Sequence, residues 1–194
     1  MQVNGLELGG YDPRGAKSVA LIYACGPRGG CHKHNGGANL QARMELQTGE
    51  ARYLNEGKAA LNKKSADRKA LADSIIFCTF AMGALSDEAI VEALNAATGF
   101  DWSAEELYKV SERGIALERM FNVREGLRRN WDTLPLRLLK ESPVSGPNVG
   151  RVVDLQPLLD DLYRLRGWNL KSGIPTPESL RALGLGHVIP DIEV

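Results

Sequence analysis

Apolar residues recur mainly at three- and four-residue steps, and no segment alternates convincingly at period two, the signature of helices rather than half-buried strands. Residues 15–25 (GAKSVALIYAC) form a small apolar run that reads as a buried helix. A second helix, broken at most once, is predicted from Asn55 to Met82. Lys58, Lys63, Lys64, Asp67, Arg68 and Lys69 mark its wet side, and Ala60, Leu61, Leu71, Ile75 and Cys78 its buried one. Apolar density rises after Asp73, in SIIFCTFAM, so that end is expected to be buried on all sides.

Later boundaries are marked by capping chemistry. Ser86 is placed to cap a helix that Asp87 and Glu88 favour electrostatically and Gly99 ends. Ser103 and Glu106 form a capping box, followed by about six amphipathic turns carrying Leu107, Val110, Gly114, Leu117, Phe121 and Leu127. Asp154 caps a helix with Leu155, Leu158, Leu159, Leu162 and Leu165 on one face, and Thr176-Pro177 starts a short one that Gly184 ends. Residues 1–14 are rich in turn formers and read as irregular, and residues 26–37 (GPRGGCHKHNGG) hold five Gly and a Pro and form a loop. The expectation is one mostly α, multihelical domain over 1–194. Its main body is 1–141, SPVSGPNVG (142–150) is a linker, and 151–194 is a helical tail.

Composition changes the picture by exclusion. Lys+Arg and Asp+Glu are both 24 in 194 residues, which argues against nucleic acid and anionic membranes as partners, since both call for a basic surplus. No apolar run approaches the ~18 residues of a membrane span. The first ten residues lack the basic and apolar regions of a signal peptide, and three Cys make no disulfide framework, so a cytoplasmic protein is expected.

The 26–37 loop and its approach concentrate the metal-capable side chains Cys25, Cys31, His32 and His34. The spacing C-x5-C-H-x-H lacks the C-x2-C pair of common zinc sites, and Cys25 and Cys31 read as small buried residues. His32, on a glycine-rich loop, is either a satisfied structural histidine or a functional one. GPRGGC is not a phosphate loop, because the Gly-Lys-Ser/Thr end is missing and Pro27 removes a backbone donor. Asp73 lies among apolar neighbours and must be hydrogen-bonded, either within the chain or to amino groups of a ligand. Cys78 is either a core thiol or one ligand of a cluster that takes three more from elsewhere. The mixed charges from Glu112 to Arg129 read as a solvated, ion-paired helix face.

In combination these segments carry a resemblance. GYDPRGA…YACGPRGGCH, then ADSIIFC, then ERMFNVREGLRRNWDTLPLRLLKE, then LLDDLYRLRGWN…GIPTPESLRALGL, in that order over nearly the whole chain, resemble the C-terminal part of the aldehyde ferredoxin oxidoreductase family. The resemblance implies that family's helical C-terminal fold and a tungsten- or molybdenum-pterin centre near a [4Fe–4S] cluster. It implies His32 as the catalytic histidine beside the metal. The family's pattern Asp-x-x-Gly-Leu-Cys falls on Asp73–Cys78, which implies Asp73 as pterin ligand, Phe77 as a backbone contact to pterin and Cys78 as the fourth cluster ligand. The pattern's Gly and Leu are Ile76 and Phe77 here. The family's C-x2-C-x3-C ligands do not occur in these residues, so the remaining N-terminal domains, or a partner subunit, are implied as partners, with ferredoxin as electron acceptor and an aldehyde as substrate. An aromatic acyl thioester reductase subunit and a non-catalytic helical scaffold are the competing expectations.

Overall fold

The computed structural model describes residues 1–36 and 49–192, and the fold they form is mostly α. The chain opens with a hairpin of β1 (Gln2–Val3) and β2 (Leu6–Glu7), paired antiparallel with Val3 opposite Leu6. This departs from the irregular start expected. Asn4 and Gly5 both have positive φ, 49° and 84°, the conformation of a two-residue hairpin turn and one that Asn-Gly favours.

Helix α1 (Lys17–Ala24) is buried along its whole length. A short apolar helix can be enclosed only if other elements surround it. Here α7 (Leu155–Arg166), Leu134, Leu138 and Trp168 pack with Val19, Ala20 and Tyr23 into one core, although residues 142–150 lie between them in sequence. Lys17 is enclosed too, with its ammonium donating to the carbonyl of Val152. Asp154 stands at the N-cap of α7, but its side chain accepts no capping bond.

Helix α2 (Lys58–Ser74) packs on α5 (Ala104–Arg124), α7 and α1. Its buried face is only in part the apolar one expected. Leu71 is enclosed as expected, with Ala72, but so are Lys58, Ala59, Asn62, Ser65, Ala66 and Asp67, and Ala60 is exposed. Ion pairing explains most of this rotation: Asp67 meets Lys63 at 2.8 Å and also binds Arg166. Lys58 donates to the Ala51 carbonyl at 2.6 Å.

Short helix α3 (Thr79–Met82) and α4 (Asp87–Thr98) join the end of α2 and the start of α5 around Leu71, Met82, Ile90 and Leu107. The capping signals are realised. Ser86 accepts from the Ala89 amide, Gly99 takes φ 73°, and Ser103 and Glu106 make both bonds of the capping box. Helix α6 (Leu136–Lys140) follows, and α8 (Pro177–Ala182) starts at the Thr176 cap. Together with the 3₁₀ turn Gly186–Ile192, α8 closes a second cluster with Ala116, Met120 and Val123 of α5.

The buried stripe of α5 also departs from expectation. It runs through Leu107, Ser111, Ala116, Arg119, Met120 and Val123, while Leu117 and Phe121 are exposed. The charged run is therefore not a uniformly wet face, because Arg119 is enclosed with Asp132. No described helix is long and apolar enough to cross a membrane.

Candidate functional site

The ADSIIFC segment is the end of α2 and its exit. Ile76 N–H bonds to the Asp73 carbonyl at 3.2 Å, and Phe77 N–H bonds back to the Ala72 carbonyl at 2.8 Å. These two bonds make a Schellman cap, in which the residue after the C-cap takes the left-handed conformation that glycine adopts freely. That residue is Ile76, at φ 55°. The Gly of the related pattern thus has a backbone role, helix termination, and the chain keeps the turn with a β-branched residue at a cost of roughly 1–2 kcal/mol. Ile76→Gly is expected to raise stability by about 1 kcal/mol, with part of the relief lost to the freer unfolded chain. A shifted urea midpoint measures it, and an unchanged or lower midpoint contradicts it.

The burial on all sides expected after Asp73 is realised, among the apolar residues, only at Met82 and in part at Ile75. Ile76 is 95% exposed and Phe80 73%, and Phe77 and Cys78 are also exposed. An apolar run shows that burial is favourable without showing what provides it. Asp73 pairs with Lys69 one turn earlier. Cys78 stands at the N-cap of α3, where backbone N–H groups of Ala81 and Phe80 lower its thiol below the ordinary value. A thiolate is the ligating form of cysteine. Among the described residues no three His, Cys, Asp or Glu converge to hold a metal ion, so the donor set fits a cluster only as a contributor of one thiolate.

The His-bearing loop lies beside this segment, with the Lys33 ammonium 4.3 Å from the centre of the Phe80 ring. His32 packs on Tyr11, ring centres 5.3 Å apart. Its Nδ1 lies so close to Gly9 that a Cβ there would approach to 2.7 Å. Burial, and then Lys33, hold its pKa below the usual 6.5. Cys31 is buried, as expected. Burial raises its thiol, but hydrogen bonds from Arg28, at 3.0 Å, and from the Lys33 and His34 amides outweigh it, and the net shift is downward.

Two residues beyond His32, His34 turns to a different surface. Its Nε2 meets Glu118 of α5 at 2.7 Å, and it lines the cleft between α2 and α5 that Asp73 also lines. This imidazole–carboxylate pair spans 84 positions and carries no local sequence signal. The hydrogen bond to Glu118 raises the His34 pKa above 6.5. In an NMR titration His34 is therefore expected to titrate above 6.5 and His32 below it, and the reverse order contradicts both environments. Because the folded value is the higher one, the His34–Glu118 contribution to stability is full below about pH 6.5 and fades as pH rises through the folded value.

The structure thus gathers Asp73, Phe77 and Cys78 on one exposed helix-end segment. It sets the loop of His32 beside that segment, with His32 itself turned toward Tyr11. The arrangement of helices is shared with a chain of known structure. A chain of the "active site complex BamBC of benzoyl coenzyme A reductase in complex with 1,5 dienoyl-CoA" superposes with a TM-score of 0.63 over 94% of this chain and 31% of that one, at 23% identity. The family is shown by the sequence. Residues 1–185 match the family described as "aldehyde ferredoxin oxidoreductase, domains 2 & 3", and the chain belongs to that family. The tungsten-containing aldehyde ferredoxin oxidoreductase of Thermococcus kodakarensis is 37% identical over 190 residues, and that of Pyrococcus furiosus 38% over 188. The match takes in 97% and 96% of this chain but only 31% of each relative, so the chain spans about a third of those proteins.

Proposed function

We propose that this chain is the C-terminal part of an enzyme that oxidises aldehydes to carboxylates, and that its exposed Asp73–Cys78 segment and neighbouring His32 loop face the cofactors. Bound between this chain and the remaining domains or a partner subunit, a tungsten- or molybdenum-pterin would supply the redox chemistry, with electrons passed through a [4Fe–4S] cluster to ferredoxin. The carrying observation is the exposure of that segment: an apolar exit from a capped helix, ending in a thiol that backbone N–H groups favour as thiolate.

Each residue has a role its surroundings suit. Asp73, at the last turn of α2, accepts hydrogen bonds from pterin amino groups. Phe77 offers its backbone, held in place by the Schellman bond to Ala72. Cys78 gives one thiolate to the cluster, and the other ligands come from outside the described residues. His32, neutral near pH 7 with Nδ1 against Gly9, takes or returns a proton at Nε2. The exposed Ile76, Phe77 and Phe80 side chains are covered by the segment that brings the other ligands.

The test is anaerobic co-expression of the chain with the missing two-thirds, followed by elemental analysis and electron paramagnetic resonance. Tungsten or molybdenum with iron in the purified complex is expected. A folded complex with neither metal overturns the proposal and leaves the helical scaffold as the reading.

A further inference from the structure

Residues 121–126 (FNVREG) close helix α5 with a second Schellman cap. The Gly126 N–H bonds to the Val123 carbonyl at 3.0 Å and the Leu127 N–H to the Asn122 carbonyl at 2.8 Å, with Gly126 at φ 96°. The cap fixes the backbone of Asn122. Its half-buried side chain reaches a residue 95 positions away, donating from Nδ2 to the Pro27 carbonyl at 2.6 Å. A carbonyl only accepts, so it is the amide nitrogen of Asn122 that faces it.

Pro27 belongs to the turn from which the His32 loop sets out. The Gly29 N–H donates to the Gly26 carbonyl at 3.1 Å, with proline at the second turn position, where its fixed φ is favoured. The Pro27 carbonyl takes no part in that bond and points to α5 instead. On the opposite side the hairpin holds the loop. The Gly30 N–H donates to the Val3 carbonyl at 3.1 Å, and a Cβ on Gly30 would come to 2.6 Å from the Leu6 carbonyl. The loop is thus gripped between hairpin and α5. Gly29 and Gly30 lie between Pro27 and His32, and glycine imposes little direction of its own. The contacts on the loop's flanks therefore decide where His32 stands.

On the other flank His34 meets Glu118, one turn before Asn122 on the same face of α5. Both members of that pair are partly exposed, and such pairs hold weakly, which leaves Asn122 as the firmer tie. Pro27, Asn122, His34, Glu118 and Asp73 line one cleft, so the tie stands beside the segment that carries Asp73.

We propose that Asn122 is a positioning residue for His32: by holding the Pro27 carbonyl it fixes the turn that leads into the loop, and with it the place of the imidazole against Tyr11 and Gly9. The role rests on the reading of His32 as the acid–base group and adds the residue that keeps it aimed.

Asn122→Asp is the probing change, because it keeps the shape of the side chain and replaces the donor by an acceptor. In the 194-residue chain, the nuclear Overhauser contact between the His32 and Tyr11 rings, whose centres are 5.3 Å apart, is expected to fade while the helical circular dichroism stays unchanged. In the assembled enzyme kcat is expected to fall about 10–100-fold with KM and metal content unchanged, the effect of a reacting group displaced by roughly 1 Å. Asn122→Gln, which keeps the donor on a longer stem, is expected to lose less of both. Asn122→Asp combined with His32→Ala is expected to be no slower than His32→Ala alone, because nothing is left to position. Turnover that persists in His32→Ala overturns the role of His32 and that of Asn122 with it. If His32→Ala is slow but Asn122→Asp costs nothing, or costs the same factor in both backgrounds, or if the ring contact persists at parent strength, the role of Asn122 alone is overturned.

Discussion

Asp132→Ala is expected to lower the unfolding free energy by about 3–5 kcal/mol, the cost of leaving a buried charge without its partner. Arg119 and Asp132 have side chains 5% and 1% exposed and meet through two parallel bonds of 2.8 and 2.6 Å. The Tyr163 hydroxyl donates to the same carboxylate, Arg119 Nε donates to the Gly173 carbonyl at 2.9 Å, and the guanidinium stands 4.6 Å from the centre of a Trp168 ring. Burial disfavours the charged guanidinium, but Asp132 outweighs it, and the Arg119 pKa rises. Removing Asp132 therefore exposes an enclosed cation to the full desolvation cost. A domain of this kind is stable by roughly 5–15 kcal/mol, so urea denaturation resolves the change easily. Arg119→Met combined with Asp132→Leu is expected to recover part of the loss, because no buried charge remains while the Tyr163 hydroxyl and the Gly173 carbonyl lose their partners. A loss under about 1 kcal/mol in the single variant contradicts the enclosed pair.

His32→Ala is expected to reduce turnover of the assembled enzyme by about 10²–10⁴-fold, the usual worth of a positioned acid–base group, with metal content unchanged. Its imidazole has a ring neighbour in Tyr11 and a backbone neighbour in Gly9, so the truncation removes packing only at one side of the loop. His34→Gln serves as the contrast. It removes the ion pair with Glu118 and leaves His32 in place, so a far smaller loss of turnover is expected. Steady-state kinetics beside metal analysis separates the cases. Turnover that persists in His32→Ala contradicts the role given to that residue.

Local chemistry was legible in the sequence wherever a few adjacent residues decide the outcome. Ser86, the Ser103–Glu106 box, Gly99 and the Thr176-Pro177 start are short-range signals, and each is realised. Asn4-Gly5 was a signal of the same kind, masked by the turn formers around it. The buried faces were less legible because distant partners choose them. Asp67 is buried because Arg166 lies 99 positions away, and Arg119 because Asp132 and Gly173 meet it. In each case an ion pair overrides the apolar pattern of the helix. The exposure of Ile76 and Phe80 was illegible for a different reason: a sequence shows a segment's preference for burial, whereas its cover depends on what else is present. The site's residues carried a motif signal, but the His34–Glu118 pair and the enclosed, unpartnered amide of Asn62 exist only once α2, α5 and the loop are folded together.

The central claim, that the exposed Cys78 completes a cluster whose other ligands lie outside the described residues, is tested most directly by electron paramagnetic resonance of the reduced, assembled protein with and without Cys78→Ser. Cys78 is exposed, so the substitution should leave the helical circular dichroism unchanged while the cluster signal is lost or altered in shape. A signal identical to that of the parent protein, at equal iron content, would contradict the account.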